Sequence, residues 1–149
     1  METLSTREPT AVVERMVRAM NRRDLVAMSD CWHPDIRAEL PAHPARNFRG
    51  VEQMLANWEL IFGLVPNLQV ELVRCSAEGD TAWAEWLWEG TQSDGQRFER
   101  AGVAIHGVRD GRIQWVRIYM QPILSRPVTA ASVALNDLGG PSPGRRSPR

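Results

Sequence analysis

The sequence predicts an α+β fold, in which helices from the first half of the chain cover one face of a curved, mainly antiparallel sheet built by the second half. Two observations carry the prediction. Up to Pro66 the apolar residues recur at helical spacing, and beyond it they alternate with a period of two. The strand candidates are joined by short turn sequences, which favour antiparallel neighbours, and helices followed by a meander make an α+β domain.

Thr10 to Met20 read as the first helix, with Thr10 as its N-cap and Val13, Met16, Val17 and Met20 along one face. Asp24 caps a second, short helix that carries Leu25, Met28 and Trp32 on its inner side. Pro34 disfavours helix at His33 and ends it. Ile36 to Leu40 then alternate as a short strand, and a proline-containing loop leads to Gly50. Val51 to Val65 form the third helix, with Met54, Leu55, Trp58, Ile61 and Phe62 on one side and Pro66 as its stop. Four strand candidates follow: LQVELVRC, TAWAEWLWEG, RFERAGVAIHGV and RIQWVRIYMQPIL. The turn sequences AEGD, QSDG and RDG separate them.

Residues 1–126 therefore read as one domain. From 127 onward Ala, Ser, Gly, Pro and Arg dominate. Such a segment cannot bury enough apolar area to offset its ordering entropy, so 127–149 is expected to be a disordered tail.

Composition narrows the chemistry. The 149 residues suit a single core, and 18 basic residues balance 18 acidic ones. Every basic residue is arginine, which removes lysine Schiff-base and lysine general-base mechanisms. No basic stripe marks a nucleic-acid partner, and no apolar run is long enough to span a bilayer. No positively charged, apolar leader opens the chain, so a cytoplasmic location is expected. Cys31 and Cys75 lack metal-ligand spacing and read as reduced, buried apolar side chains. Three histidines without carboxylates at ligand spacing make no metal site, and no cofactor is expected.

The stretch AEWLWEG, Ala84 to Gly90, sets Glu85, Leu87 and Glu89 on one strand face and Trp86 and Trp88 on the other. Together with HPDIRAELP, FRGVEQM and VRDGRIQWVRIYMQP, the order of elements from Thr10 to Leu124 resembles the SnoaL-like, polyketide-cyclase-like branch of the nuclear-transport-factor-2-like superfamily. Matching motifs are Asn21/Asp24/Leu25, His33/Pro34/Asp35, Gly50 to Met54 and Asp110 to Pro122. The resemblance implies a cone-shaped, strongly bent sheet wrapped around the N-terminal helices, with an apolar pocket at one end. It also implies a homodimer through the outer sheet face. The fold hosts cyclases, isomerases, epoxide hydrolases and plain binding modules, so it does not decide activity.

The acid/base sets of relatives are missing. Positions that ketosteroid-isomerase-like members fill with tyrosine and two acids carry Met16, Leu40 and Ala104. Those of limonene-epoxide-hydrolase-like members carry Trp86, Trp88 and Ile118, and those of SnoaL-type aldol cyclases carry Ala104 and Ile118. The implied lining of Met16, Trp58, Trp86, Trp88, Ala104, Ile118 and Met120 is apolar and suits a large, flat or greasy ligand.

His106 shares a strand face with Ala104 and is the first candidate for general acid or base. Glu39, beside the first-strand acid position, becomes a second candidate if a bulge at Pro41 turns it inward. His33 reads as part of the turn and His43 as a loop residue over the mouth. Gln121 replaces the aspartate of many relatives and can orient a substrate carbonyl if it reaches the pocket. Trp115, Leu87 and Tyr119 are expected on the outer face as the dimer contact, with Glu85, Glu89, Arg100 and Arg117 as its polar margin.

Two functions fit. One is a cofactor-independent cyclase or isomerase for a hydrophobic polyketide-like or polycyclic intermediate, of the kind used in antibiotic biosynthesis. It would act by substrate preorganisation, with limited help from His106 and Glu39. The other is a non-catalytic module of the same fold that binds a hydrophobic small molecule or serves as a dimeric accessory subunit. An epoxide hydrolase is a distant third, because no carboxylate is placed to orient water.

Overall fold

Among the described residues, three helices, one 3-10 turn and six strands make up the fold. The structure, a computed structural model, describes residues 7–124, and the tail expected at 127–149 lies outside them. In chain order the elements are α1 (Pro9–Arg22), α2 (Leu25–Ser29), β1 (Trp32–Glu39), the turn Pro44–Arg46, β2 (Phe48–Arg49), α3 (Val51–Leu64), β3 (Gln69–Glu78), β4 (Thr81–Thr91), β5 (Arg97–Arg109) and β6 (Arg112–Pro122). The sheet runs β2-β1-β6-β5-β4-β3 and does not close. Its pairs are antiparallel except β1 with β6, which is parallel.

Helix α1 lies against the concave face of the sheet and buries Val12, Val13, Met16, Ala19 and Met20 there. Its first turn differs from the expected one. The helix begins at Pro9, whose fixed φ suits a first helical position, so Thr10 sits inside it and does not cap it. Asp24 does cap α2, accepting a hydrogen bond from the Ala27 amide.

Trp32 belongs to β1 and not to α2, and β1 runs through Pro34. Between Trp32, paired with Ile113, and Arg37, paired with Trp115, β1 carries more residues than β6. The resulting irregularity takes Pro34 out of the ladder, where its missing N–H costs nothing. His33 Nδ1 accepts the Asp35 amide in the same stretch.

One side chain ties helix to sheet edge. Asn21 donates to the Val70 carbonyl at 2.9 Å and accepts from the Val70 amide at 2.8 Å, as a neighbouring strand would. Arg23 adds donors to the Pro66 and Leu68 carbonyls. These bonds satisfy the backbone of the outer strand β3 where it meets α1, a site that would otherwise be open to pairing.

Two glycines in β5 allow close approach. A Cβ at Gly102 would lie 2.0 Å from the Tyr119 carbonyl oxygen, and one at Gly107 would lie 1.9 Å from the Trp115 indole nitrogen. Gly102 therefore lets β5 and β6 draw together at the bend, and Gly107 lets Trp115 lie flat on the outer face.

Candidate functional site

Strand period and register decide which side chains meet inside the cone. On β4 the inward set is Ala82, Ala84, Trp86 and Trp88, paired across the ladder with His106, Ala104, Gly102 and Arg100 of β5. On β6 the matching residues are Val116, Ile118, Met120 and Pro122. Burial falls along these rows. Ala82, His106 and Val116 are buried, Ile118 and Met120 are half-buried, and Pro122 is exposed. The concave face is thus sealed around His106 and opens toward Met120.

His106 is the one buried polar side chain among the described residues, at 4% exposure. Neither ring nitrogen has a hydrogen-bond partner within the protein. The Trp86 ring meets it edge-on, with centroids 6.1 Å apart. Burial alone pulls the imidazole pKa down to about 4, so the ring is neutral at physiological pH. A neutral imidazole offers one N–H donor and one acceptor nitrogen, and both are unused here.

Toward the open end, Trp88 packs on Trp58 at 5.1 Å, and Trp58 on Phe62 of α3 at 5.5 Å. The Trp88 indole N–H is a second buried donor without a partner. Phe98, Ile118 and Met120 complete this half-buried apolar end.

The other sequence candidates fall elsewhere. Glu39 stands on the outer face, paired with Arg117 in the ladder and bonded to it at 2.6 Å. No bulge at Pro41 turns it inward, because the alternation Ile36/Ala38 against Arg37/Glu39 holds to the strand end. Gln121 pairs with Ala101 on the same outer face and is exposed, so it does not reach the interior. His43 is exposed beside the 3-10 turn.

The expected open apolar cavity is also corrected. Met16, Trp58, Trp86 and Ala104 are each at most 5% exposed and pack against one another in the core. Met16, unbranched and adaptable, reaches from α1 into this core.

Arg100 is the residue that sequence reasoning misplaced. The expectation set it with Glu85, Glu89 and Arg117 in the polar margin of the outer face. Yet it shares parity with His106 on β5 and pairs with inward Trp88. The alternation that places His106 inside places Arg100 inside as well.

A family model described as SnoaL-like domain matches residues 13–116. The chain belongs to the SnoaL-like domain family. Solved structures agree with this SnoaL-like fold. IdmH of Streptomyces antibioticus, a candidate polyketide cyclase, is 22% identical with a TM-score of 0.67, over 88% of this chain and 98% of its own. AclR of Streptomyces galilaeus, a candidate hydroxylase, is 24% identical with a TM-score of 0.68, over 78% and 91%. An LEH-like epoxide hydrolase of M. tuberculosis is 21% identical with a TM-score of 0.64, over 74% and 80%. At such identities the likeness concerns the fold. A comparison with curated proteins finds no match.

Two open surface grooves of this SnoaL-like domain lie away from His106. One, of about 520 Å³, runs between α1 and β3 past Glu14, Arg18 and Glu71. The other, of about 530 Å³, lies at the start of α3 beside Arg49 and Glu52. Neither contains a sequence-predicted site residue. Among the described residues no three His, Cys, Asp or Glu side chains are grouped to hold a metal, and no helix is long and apolar enough to cross a membrane.

The sealed imidazole has a thermodynamic signature. Because its folded pKa lies below the unfolded value, the unfolded chain takes up the proton first as pH falls. Stability contributed by the neutral ring is complete above pH 6.5 and lost progressively as pH falls to about 4, by about 3 kcal/mol. Urea unfolding of wild type and His106→Leu checks this. The variant should gain roughly 1–3 kcal/mol at neutral pH, since it removes unsatisfied buried nitrogens, and its advantage should widen toward pH 4. Parallel pH profiles would show that the ring is not sealed.

Proposed function

We propose that this protein takes a hydrophobic, polyketide-like or polycyclic intermediate into the open end of its cone and acts on it as a cyclase or isomerase. The observation that carries this reading is the buried, unpartnered His106 at the end of an aromatic wall. Unsatisfied buried nitrogens cost stability, and a ligand that offers them a hydrogen-bond partner gains what the fold forgoes.

The mechanism follows from the ring's protonation state. With a pKa of about 4, free His106 accepts protons weakly, and its N–H serves better as a donor to a substrate carbonyl. That bond strengthens as negative charge develops on the carbonyl oxygen during enolisation or ring closure. Trp86 and Trp88 hold the substrate in a folded, reactive conformer, and proximity supplies the remainder. Entry from the Met120 end requires Met16 and Trp86 to yield. The reaction rearranges the substrate's own atoms and needs no cofactor or metal.

The vacant acid/base positions, Met16, Leu40 and Ala104, favour a second reading: the same cone as a binding module that leaves its ligand unchanged. A panel of linear poly-β-ketone and polyene thioester mimics, incubated with the protein and followed by mass spectrometry, separates the two. The enzyme reading predicts conversion of at least one compound to a cyclic or otherwise rearranged isomer of unchanged mass but different chromatographic retention. His106→Leu should then slow conversion roughly a hundredfold, and Trp88→Ala should slow it too. Compounds that bind and are recovered unchanged would establish the binding module.

The outer sheet face supports a homodimer. Trp83 is 47% exposed there, beside Val103 and Tyr119, on a face shared with Leu87, Ile105 and Trp115. An apolar patch of this kind is commonly covered by another chain. Light scattering should report a dimer for wild type and a monomer for Trp83→Glu/Val103→Glu. A monomeric wild type at micromolar concentration would contradict the assignment.

A further inference from the structure

Strand β5 presents its inward side chains in a graded order. From the open end these are Phe98, Arg100, Gly102, Ala104 and His106. Gly102 and Ala104 in the middle are small and lie between Trp86 and Trp88 of β4 and Ile118 and Met120 of β6, in a row that is packed closed at Ala104 and half-buried toward Met120. A strand rises about 3.3 Å per residue, so Arg100 and His106 stand about 20 Å apart along this row.

Arg100 is the one charged side chain that β4, β5 and β6 turn to the concave face among the described residues. Three arginines on the outer face of the sheet have glutamate partners: Arg74 with Glu85, Arg97 with Glu89 and Glu99, and Arg117 with Glu39. No carboxylate pairs with Arg100 among the described residues. Its guanidinium instead lies over the Phe98 ring, 5.1 Å from the centroid, and the residue as a whole is half-buried. Opposite it stands Trp88, whose indole N–H is unpartnered. A permanent cation is thus held by an aromatic surface at the half-buried end of an apolar row, with its donor fork unused by any carboxylate.

We propose that Arg100 anchors a carboxylate, and that the ligand of the cone is an elongated, mostly apolar molecule with an acidic group at the end left at the mouth. This rests on the apolar-ligand reading above and adds the polarity and orientation of the ligand. The guanidinium fork matches a carboxylate bidentately, with charge on both partners of each hydrogen bond. As Met16 and Trp86 yield, the apolar body extends from the Met120 end toward His106, so Arg100 fixes which part of the molecule meets the imidazole. Arg100 is a binding residue here and moves no proton.

The test uses the full-length chain and two probes of one shape, cis-parinaric acid and its methyl ester. Both are conjugated polyenes whose binding quenches tryptophan emission. Wild type should bind the acid roughly ten- to a hundredfold more tightly than the ester, a preference that added salt weakens. Arg100→Gln should lower acid affinity to that of the ester and leave ester affinity unchanged. Arg100→Lys should keep part of the preference, which separates loss of charge from a disturbed fold. Equal binding of acid and ester to wild type, or an undiminished preference in Arg100→Gln, would overturn the anchor while the apolar site stands. Failure of wild type to bind either probe would overturn the apolar site and the anchor with it.

Discussion

The antiparallel ladder of β4 with β5 sets Ala82, Ala84, Trp86 and Trp88 opposite His106, Ala104, Gly102 and Arg100, and everything the concave face offers follows from that register. A slip of one residue would turn Trp83, Glu85 and Leu87 inward and leave the imidazole in water. The pairing of β5 with β6 extends the same rows to Val116, Ile118 and Met120. Gly102 permits the close approach of β5 to β6 at the bend. Asn21 holds the far edge by bonding both backbone groups of Val70. The site is therefore a consequence of sheet geometry, with α1 and α3 supplying its cover.

That geometry confines one polar group at a cost. A ring with two unsatisfied nitrogens in an apolar core is less stable there than a leucine of similar size. The surrounding core, from Val12 and Met16 to Ile113 and Val116, is fully apolar and offsets this readily. Polar groups kept in such positions recur at functional sites, where stability is spent on pre-organisation. The outer face follows different rules. Its arginines and glutamates pair in exposed ion pairs that contribute little to stability, and its apolar centre remains open to a partner.

Much of this was legible in the sequence because period-2 alternation over long strands is a strong signal. Trp86, Trp88, Ala104 and His106 share the inward face that their spacing indicated, and the α+β order of elements was readable from the change of period at Pro66. Arg100 departs from its expected place in the outer margin, because its parity with His106 on β5 sets it on the inner face. Glu39 and Gln121 show the reverse. Their alternation pointed outward, and only motif positions in relatives argued for the interior. The start of β1 at Trp32 was hidden because an irregular ladder accommodates Pro34, something a propensity rule does not register. Closure of the core around Met16 and Trp58 depends on side-chain packing in three dimensions, which no periodicity encodes.

Everything proposed for the interior rests on His106 being a sealed, neutral imidazole that meets no partner within the protein. Long-range nitrogen–proton NMR of the histidine rings reads this directly, with the His106 signals assigned by their loss in His106→Leu. Its ring nitrogens should keep neutral-imidazole shifts as pH is lowered until about 4. Titration of that ring near 6.5, the value of an unperturbed histidine, would contradict the sealed site and the chemistry built on it.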